Sequence, residues 1–249
     1  MLCAEPLTSQ QQRRWLRLSL RDQGMKFAGL QKTSLVDFPD RVASVLFTPG
    51  CNLRCPYCHN WRIVVDPKPP FLNEETALNM LEARKKYVDA VVVTGGEPTL
   101  HKELPKFLKK LKERGFTVKL DTNGFFPDVL EESLPYVDYV ALDVKTSLEK
   151  YPRLGAKETA GFLRAVEMLK TGKVEYEFRT TVVPGFVDAE DINRIGELVK
   201  GAKTYALQQF VTGDILERNL STLKPYAQET IAKYAKAMEN YATNMILRT

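Results

Sequence analysis

Little in this chain of 249 residues suits a disordered, disulfide-rich or membrane-spanning protein. Glycine and proline number only 14 each, which excludes collagen-like and low-complexity chains. Four cysteines are too few for a disulfide scaffold. No apolar run reaches the roughly 18 residues of a transmembrane helix, and no apolar secretory signal opens the sequence. We therefore predict a cytoplasmic protein with no membrane partner.

Charge of either sign is only slightly in excess. The chain has 36 Lys and Arg residues against 31 Asp and Glu residues, a net charge of +5 that is spread along the sequence. A nucleic-acid-binding protein more often concentrates its basic residues in one stripe. We therefore predict no nucleic-acid partner. The length suits one large domain or two small ones, and a single α/β barrel is well within it.

Residues 1–24 differ in pattern from the rest of the chain, because arginines such as Arg13 alternate there with Trp15 and several leucines. Such a segment suits an amphipathic arm on a partner or membrane surface. It equally suits an appendage, disordered or foreign to the domain, and we favour this reading. Cys3 lies in this segment and is interpreted as incidental. The predicted domain is 25–249.

Short β-branched and apolar runs alternate with helical patterns from residue 25 onward. Strands followed by helices favour parallel pairing with right-handed crossovers, so the fold class is α/β. Periodicity alone does not separate an open twisted sheet from a partial barrel. One amphipathic segment, 225–246, closes the chain. The predicted strands are 42–48, 90–93, 116–120, 137–144, 174–183 and 205–211.

Polar and glycine-rich groups follow the ends of these strands. In parallel α/β folds, ligands bind at the carboxyl ends of the strands, so we expect these groups to meet at one active-site mouth. Arg179 lies within the fifth strand and belongs with them. The groups are 51–60, 94–98, 121–124, 143–145, 183–185 and 208–210.

Three cysteines, Cys51, Cys55 and Cys58, have C-x3-C-x2-C spacing. Thiolates are soft ligands that suit zinc or an iron–sulfur cluster. A structural zinc site needs four protein ligands, and a fourth ligand at His59 would be strained because it adjoins Cys58. A [4Fe–4S] cluster normally takes four cysteines, so three would leave one iron open to a substrate or cofactor. We favour the open cluster, with a zinc-binding scaffold as the remote alternative.

The segment FTPGCNLRCPYCHN resembles the signature of the radical S-adenosylmethionine (SAM) enzymes, and later motifs match in order over nearly all of residues 25–249. The stretch GLQKTSLVDFPDRVASVLF makes the chain most similar to glycyl-radical-enzyme activating proteins. Among them it most resembles those of anaerobic ribonucleoside-triphosphate reductase, with pyruvate formate-lyase activating enzymes as relatives. The resemblance implies a partial (β/α)6 TIM-like barrel of the radical SAM type.

The same resemblance implies two cofactors, a [4Fe–4S] cluster held by the three cysteines and SAM, which chelates the fourth iron through its amino and carboxylate groups. Thr94, Gly95, Gly96 and Glu97 match the glycine-rich motif that receives the SAM ammonium. Two glycines permit close backbone approach, and Glu97 offers a negative partner. Lys145, in an Asp-x-Lys motif, would pair with the methionyl carboxylate as a flexible cation.

Further positions follow from the resemblance. Arg179 would lie near the SAM carboxylate or ribose, with a surface ion pair as its structural alternative. The region 208–210 departs from a histidine that related activating enzymes have near the sixth strand. The other SAM-contacting residues are Tyr57, His59 and Asn123, and the residues for a monovalent cation are Asp121, Thr122 and Asp143.

The implied reaction is the reductive cleavage of SAM. One electron from the reduced cluster would break the bond to the 5′ carbon, giving methionine and a 5′-deoxyadenosyl radical. That radical would take a hydrogen atom from a glycine of a partner, a glycyl-radical enzyme. A flavodoxin- or ferredoxin-type protein would supply the electron. A radical SAM enzyme acting on a small molecule or nucleoside is the alternative, since it would share every motif.

Overall fold

An eight-stranded sheet organises residues 24–249, the part of the chain that the computed structural model describes. The interpretation of residues 1–24 as an appendage falls outside the described residues for positions 1–23, Cys3 among them. The strands are β1 (Lys26–Phe27), β2 (Gly29–Phe38), β3 (Arg41–Thr48), β4 (Leu72–Asn73), β5 (Ala90–Gly95), β6 (Thr117–Thr122), β7 (Tyr139–Asp143), β8 (Glu175–Val182), β9 (Ala202–Gln209) and β10 (Ala242–Arg248). The helices are α1 (Trp61–Val65), α2 (Glu74–Glu82), α3 (Leu104–Glu113), α4 (Pro127–Ser133), α5 (Ala160–Thr171), α6 (Ala189–Val199) and α7 (Gln228–Met238).

Eight of these strands form the large sheet, in the order β10-β9-β8-β7-β6-β5-β3-β2, and β1 pairs with β4 in a separate two-stranded sheet. All neighbours from β3 to β10 are parallel, and only β2 runs antiparallel, against β3. The edge strands β2 and β10 do not pair with each other in the described structure, so the sheet stays open. Each of the six predicted strands is present and is followed by a helix. The α/β partial-barrel prediction is therefore confirmed.

The end of the chain is more divided than its sequence pattern suggests. Within the single amphipathic segment predicted at 225–246, α7 ends at Met238 and β10 begins at Ala242. The new strand pairs in parallel with β9. Arg248, near its end, donates from both terminal nitrogens to the fully buried Glu177 on β8, over 2.9 and 2.6 Å. This long-range pairing explains why the strand is invisible to local periodicity.

Local capping sets several helix boundaries. Asn73 caps α2, since its side-chain oxygen accepts a bond from the Thr76 backbone N–H over 2.8 Å. Asp188 forms a capping box with Asp191 at the start of α6. None of the helices within residues 24–249 has the length and apolarity needed to cross a membrane.

The two faces of the sheet bury different kinds of side chain. The helix-facing side forms the main apolar core. The concave side carries a small apolar cluster that includes Phe38, Val45 and Val92, with Tyr139 packed against it. The Phe38 and Tyr139 rings lie 6.1 Å apart. On this same face, charged residues replace apolar ones along β6, β7 and β8, and they lead to the functional site.

Candidate functional site

One cavity of about 450 Å³ lies at the carboxyl ends of the parallel strands. Its volume is in the range that holds a small-molecule cofactor. Every residue that the sequence predicts for the cluster, SAM or a cation lines this cavity. These residues are Cys51, Cys55, Tyr57, Cys58, His59, Thr94, Gly95, Gly96, Glu97, Asp121, Thr122, Asn123, Asp143, Lys145 and Arg179.

The cavity also contains residues for which the sequence analysis predicts no role. Thr181 lies two positions after Arg179 on β8, so the period of a strand places both on one face and could have identified it. Asp37 lines the cavity because β2 is irregular here, with shifts in its pairing to β3 on either side of Ser34. No sequence pattern signals such a bulge. Val64 is a further unpredicted lining residue, whereas Leu53, Asn60, Gln208 and Phe210 belong to the groups 51–60 and 208–210 that are expected at the mouth.

The cysteine loop, residues 51–58, connects β3 to α1 and is fixed through its backbone. The Cys58 N–H donates to the Cys55 carbonyl over 3.0 Å. The Arg54 N–H donates to the Leu154 carbonyl over 2.7 Å, and the Arg54 side chain donates to the Cys51 carbonyl over 2.6 Å. The three thiols are free of disulfide bonds. The loop therefore presents them to the cavity from a constrained backbone.

A strap from the far end of the chain, residues 210–217, crosses this loop after β9. The Leu216 N–H donates to the Cys58 carbonyl over 3.2 Å, and the Glu217 N–H donates to the Pro56 carbonyl over 2.8 Å. Ile215 is buried beneath the crossing. The strap thus holds the cysteine loop through its backbone carbonyls.

Burial controls the protonation of the three thiols. It raises the pKa of Cys51 to about 12, with a further contribution from Glu97. It raises the pKa of Cys55 to about 11 and raises that of Cys58, although the positive charge of Lys145 acts in the opposite direction on both. The thiols are therefore neutral in the protein alone. They become thiolates when a positively charged metal centre replaces their protons.

The donor set fits a cluster better than a single ion. Within residues 24–249, no three His, Cys, Asp or Glu side chains are grouped so that they could hold one metal ion. Three thiols nonetheless border one cavity. Three thiols fit the three-cysteine ligation of an open [4Fe–4S] cluster, whereas a structural zinc site needs four protein ligands.

Gly95 and Gly96 let two loops pack main chain against main chain. A Cβ atom at Gly96 would lie 1.8 Å from the Gly50 carbonyl oxygen, and one at Gly95 would lie 2.4 Å from the Thr48 nitrogen. Gly95 also has φ +115°, a conformation that favours glycine. The Gly96 N–H donates to the Thr48 carbonyl over 2.8 Å. The end of β5 is thereby locked to the start of the cysteine loop.

Glu97 is buried and bonded mainly to the protein itself. Its carboxylate accepts from the Thr122 hydroxyl over 2.7 Å, from the Asn123 N–H over 2.7 Å and from the Thr99 N–H over 3.0 Å. Burial raises its pKa, and these hydrogen bonds oppose the shift. Glu97 therefore fastens the end of β5 to the end of β6, a role additional to the SAM contact predicted for it.

Asn123 extends this connection toward the cysteines. Its side-chain nitrogen donates to the Asn52 side-chain oxygen over 2.8 Å and lies 3.7 Å from the Cys51 sulfur. The β6 end, the β5 end and the cysteine loop are thus joined through two side chains, Glu97 and Asn123.

An ionic network also lines the cavity. Arg179 bridges two carboxylates, donating from Nε to Asp143 over 2.6 Å and from Nη2 to Asp121 over 3.4 Å. Lys145 Nζ lies 3.1 Å from the other Asp143 oxygen. Lys119, which is buried beneath the cavity, lies 2.5 Å from the other Asp121 oxygen. Three cations therefore alternate with two carboxylates.

The network fixes the charge of its members. Burial by itself would raise the pKa of Asp143, but Arg179 and Lys145 outweigh it and hold that pKa well below its usual range. Burial would lower the pKa values of Lys145 and Arg179, and Asp143 reverses the shift so that both pKa values are raised. All three groups stay ionised across the physiological pH range.

Tyr57 and His59 differ in exposure although both line the cavity. Tyr57 is buried, its ring is 5.3 Å from that of Phe186 in an edge-on arrangement, and its hydroxyl lies 3.5 Å from the Lys145 carbonyl oxygen. His59 is exposed. The position of Tyr57 is therefore explained largely by packing against Phe186, whereas the exposed His59 is accessible to a ligand.

Comparison with known proteins agrees with this geometry. The profile of the Radical SAM superfamily matches residues 45–199. A Methanocaldococcus jannaschii protein, named for a glycyl-radical enzyme activating activity that has been inferred for it, is 35% identical over 89% of this chain and 95% of its own length. The pyruvate formate-lyase-activating enzyme of Staphylococcus aureus is 34% identical over 68% of this chain and 73% of its own.

Solved structures share the fold at lower identity. A TYW1 structure with a bound lysine-pyruvate adduct superposes with a TM-score of 0.62 at 21% identity, covering 80% of this chain and 74% of TYW1. QueE from Escherichia coli gives 0.58 at 18% identity, over 92% and 97% of the two chains. SuiB from Streptococcus suis, bound to SAM, gives 0.59 at 15% identity, over 82% and 52%. With its cysteine loop, glycine motif and parallel sheet, this chain belongs to the radical SAM superfamily, whose enzymes use a [4Fe–4S] cluster and SAM, and it is homologous to the glycyl-radical enzyme activating enzymes.

Proposed function

We propose that this protein cleaves SAM reductively and activates a glycyl-radical enzyme, an anaerobic ribonucleotide reductase being the first candidate. The observation that carries the proposal is that three free thiols and the Lys145 cation border one cavity. The similarity to activating enzymes over 89% of the chain supports the choice of reaction.

Cys51, Cys55 and Cys58 would hold three irons of the cluster. When bound and reduced, the cluster supplies the electron that cleaves SAM to methionine and a 5′-deoxyadenosyl radical. The chain's own part is to position the ligands and to exclude water. The buried thiols contribute to both tasks. Because burial raises their pKa values, they lose their protons only when a metal centre binds in place of those protons, and the same burial keeps water from the bound group.

Lys145 is the side chain best placed to bind the SAM carboxylate. Its ammonium faces the cavity, with about a fifth of the side chain exposed, and it lies against a single Asp143 oxygen at 3.1 Å. A flexible ammonium can turn from that oxygen to an incoming carboxylate. Arg179 keeps Asp143 paired during this exchange, since its Nε lies 2.6 Å from the other oxygen.

The Gly95–Gly96 turn would receive the SAM ammonium. Without side chains, these residues expose backbone polar groups at the cavity edge. The Gly95 carbonyl already accepts from the Asn60 side chain over 2.9 Å, which orients it. Glu97, bonded to the protein, contributes negative charge nearby and keeps the turn attached to β6.

The test begins with anaerobic reconstitution of the cluster. We expect three-cysteine ligation, seen as iron and sulfide content and as an electron paramagnetic resonance signal on reduction, with 5′-deoxyadenosine formed from SAM. Cys55→Ala should abolish both cluster assembly and 5′-deoxyadenosine formation. Cys3→Ala, which alters the cysteine outside the motif, should retain them. Stoichiometric zinc in place of iron, or equal activity of the wild type and Cys55→Ala, would contradict the proposal.

The partner is tested separately. The reconstituted protein, SAM and dithionite are mixed with an anaerobic ribonucleotide reductase or with pyruvate formate-lyase, and the glycyl radical doublet is recorded. We expect the doublet with the reductase. Flavodoxin- and ferredoxin-type proteins, reduced enzymatically, then replace dithionite to identify the class of donor. Formation of 5′-deoxyadenosine without a doublet in either mixture would redirect the assignment to another hydrogen donor, such as a small molecule or nucleoside.

A further inference from the structure

The carboxylates expected to hold a monovalent cation are already occupied by the chain's own cations. Asp121 and Asp143 present four oxygens, and a side-chain nitrogen lies against each one. The third expected ligand, the Thr122 hydroxyl, donates to Glu97 and accepts from the Gly124 N–H over 3.1 Å. The residues present do not leave a free oxygen cage for a sodium or potassium ion.

Charge balance points the same way. Lys119, Lys145 and Arg179 bring three positive charges to two carboxylates. A bound cation would add a fourth positive charge in a poorly hydrated region, where like charges repel strongly. It would also have to displace Lys119, which is 2% exposed and whose ammonium lies 2.5 Å from Asp121. Displacement would leave a buried ammonium without its carboxylate.

Lys119 differs from the other two cations in its position. Lys145 and Arg179 line the cavity and can reach a ligand, whereas Lys119 lies below it on β6, two residues before Asp121 and on the same face of the strand. A ligand carboxylate can recruit the first two without reaching Lys119. The positive charge of Lys119 therefore stays beside Asp121 when the cavity is filled.

We propose that Lys119 is a positioning residue that takes the place of a monovalent cation, so that this protein binds SAM independently of sodium and potassium. Its ammonium holds Asp121, Asp121 helps to orient Arg179, and Arg179 holds Asp143 against Lys145. The inference adds to the proposed function, relying on it for SAM binding in this cavity.

The experiment measures SAM affinity by calorimetry on the anaerobically reconstituted protein. Three buffers of equal ionic strength contain potassium, sodium or N-methylglucamine chloride. Wild-type affinities should agree within about twofold. Lys119→Met should bind about tenfold more weakly in N-methylglucamine and recover most of the loss in potassium or sodium. Lys119→Arg should keep the salt-independent behaviour.

A second measurement needs no cofactor. The melting temperature of the wild-type apoprotein should not change with potassium. Potassium should raise the melting temperature of Lys119→Met by several degrees. Arg248→Met is the matched control, because it breaks another buried ion pair, with Glu177, and should gain no potassium response. The wild-type comparison stands even if Lys119→Met does not fold.

Two results would overturn the proposal: wild-type affinity that rises fivefold or more with potassium or sodium, or a Lys119→Met affinity that is equally weak in all three buffers. Absence of SAM binding to the reconstituted wild type in every buffer would instead refute the proposed function. The two failures are therefore distinguishable.

Discussion

The two walls of the cavity are built on opposite principles. One wall, the cysteine loop with the end of β5, is a fit of main chain to main chain, in which Gly96 approaches Gly50 with no room for a methyl group. The other wall, formed by β6, β7 and β8, is a fit of charge to charge among side chains such as Asp143 and Arg179. Both walls stand on the same parallel sheet and face the same space.

This difference separates two tasks. Close packing of main chain against main chain allows only one relative position of the two segments, which suits a loop that must hold three thiols in fixed positions. An ionic network allows several arrangements, because a cation that lines the cavity, such as Lys145, can exchange one carboxylate oxygen for another. We infer that the first wall sets where a metal centre lies and that the second adjusts to a ligand as it enters.

The largest expected effect comes from breaking the main-chain wall. In Gly96→Ala, the new Cβ would lie 1.8 Å from the Gly50 oxygen, so the two loops must separate. We expect a loss of about 3 kcal/mol or more in the free energy of unfolding, together with little cluster incorporation. Denaturant unfolding of the apoprotein and iron content after reconstitution measure these effects.

Two glycines serve as controls for that change. Gly185 has φ +81°, but a methyl group added there would meet no atom within 4 Å, so Gly185→Ala should cost only about 1–2 kcal/mol from backbone strain. Gly29→Ala meets nothing and has no positive φ, so it should be nearly neutral. A loss in Gly96→Ala no larger than in Gly185→Ala would mean that the walls do not differ as described.

Weakening the ionic wall should change binding more than folding. We expect Lys145→Met to bind SAM about 10- to 100-fold more weakly, because the carboxylate loses its cation, while the melting temperature changes little. Calorimetry and thermal unfolding measure the two quantities. Lys236→Met, which removes an exposed partner of Glu239, should alter neither. Equal SAM affinity in Lys145→Met and the wild type would contradict the assignment.

The buried thiols of the first wall predict that the free energy of unfolding of the apoprotein falls at alkaline pH. Because burial raises the pKa of Cys51 to about 12 and that of Cys55 to about 11, the unfolded chain loses these protons first. Stability is therefore full below about pH 8.5 and falls as pH rises toward the raised values. Denaturant unfolding under anaerobic, chelated conditions should show a smaller fall in a Cys51→Ala, Cys55→Ala, Cys58→Ala triple variant. Parallel pH profiles for the two proteins would exclude this account.

The smallest effect is expected where the walls meet. The Tyr57 hydroxyl lies 3.5 Å from the Lys145 carbonyl oxygen, a long contact, while its ring packs on Phe186. Tyr57→Phe keeps the ring and should change SAM affinity by less than about twofold. Tyr57→Leu removes the aromatic contact and should destabilise the fold by about 1 kcal/mol. A large affinity loss in Tyr57→Phe, measured by calorimetry, would give the hydroxyl a direct role in binding.

The sequence predicts much of this architecture because strands, helices and their order leave local signals. The six βα units follow from periodicity, and the position of site residues after each strand follows from parallel pairing. β10 escapes prediction, since it is defined by its pairing with β9 and by the Arg248–Glu177 ion pair across the sheet. Asp37 escapes it because it lies where β2 shifts its register against β3, so the strand period does not indicate which way its side chain points.

Side-chain partners are harder to predict than positions. The sequence indicates Asp121, Asp143 and Arg179 as site residues, but it does not indicate that Lys119 pairs with Asp121. The period of a strand places Lys119 and Asp121 on one face, so the signal exists. Its meaning depends on the buried, charge-rich surroundings that only the assembled sheet provides.

The strap over the cysteine loop also has a consequence for the order of events during synthesis. Residues 216 and 217 bond to the backbone at Cys58 and Pro56, so a segment made late closes over a loop made early. The backbone of the cysteine loop therefore acquires its last two hydrogen bonds only after residue 217 has been made, so the cysteine loop is completed long after its own residues are synthesised.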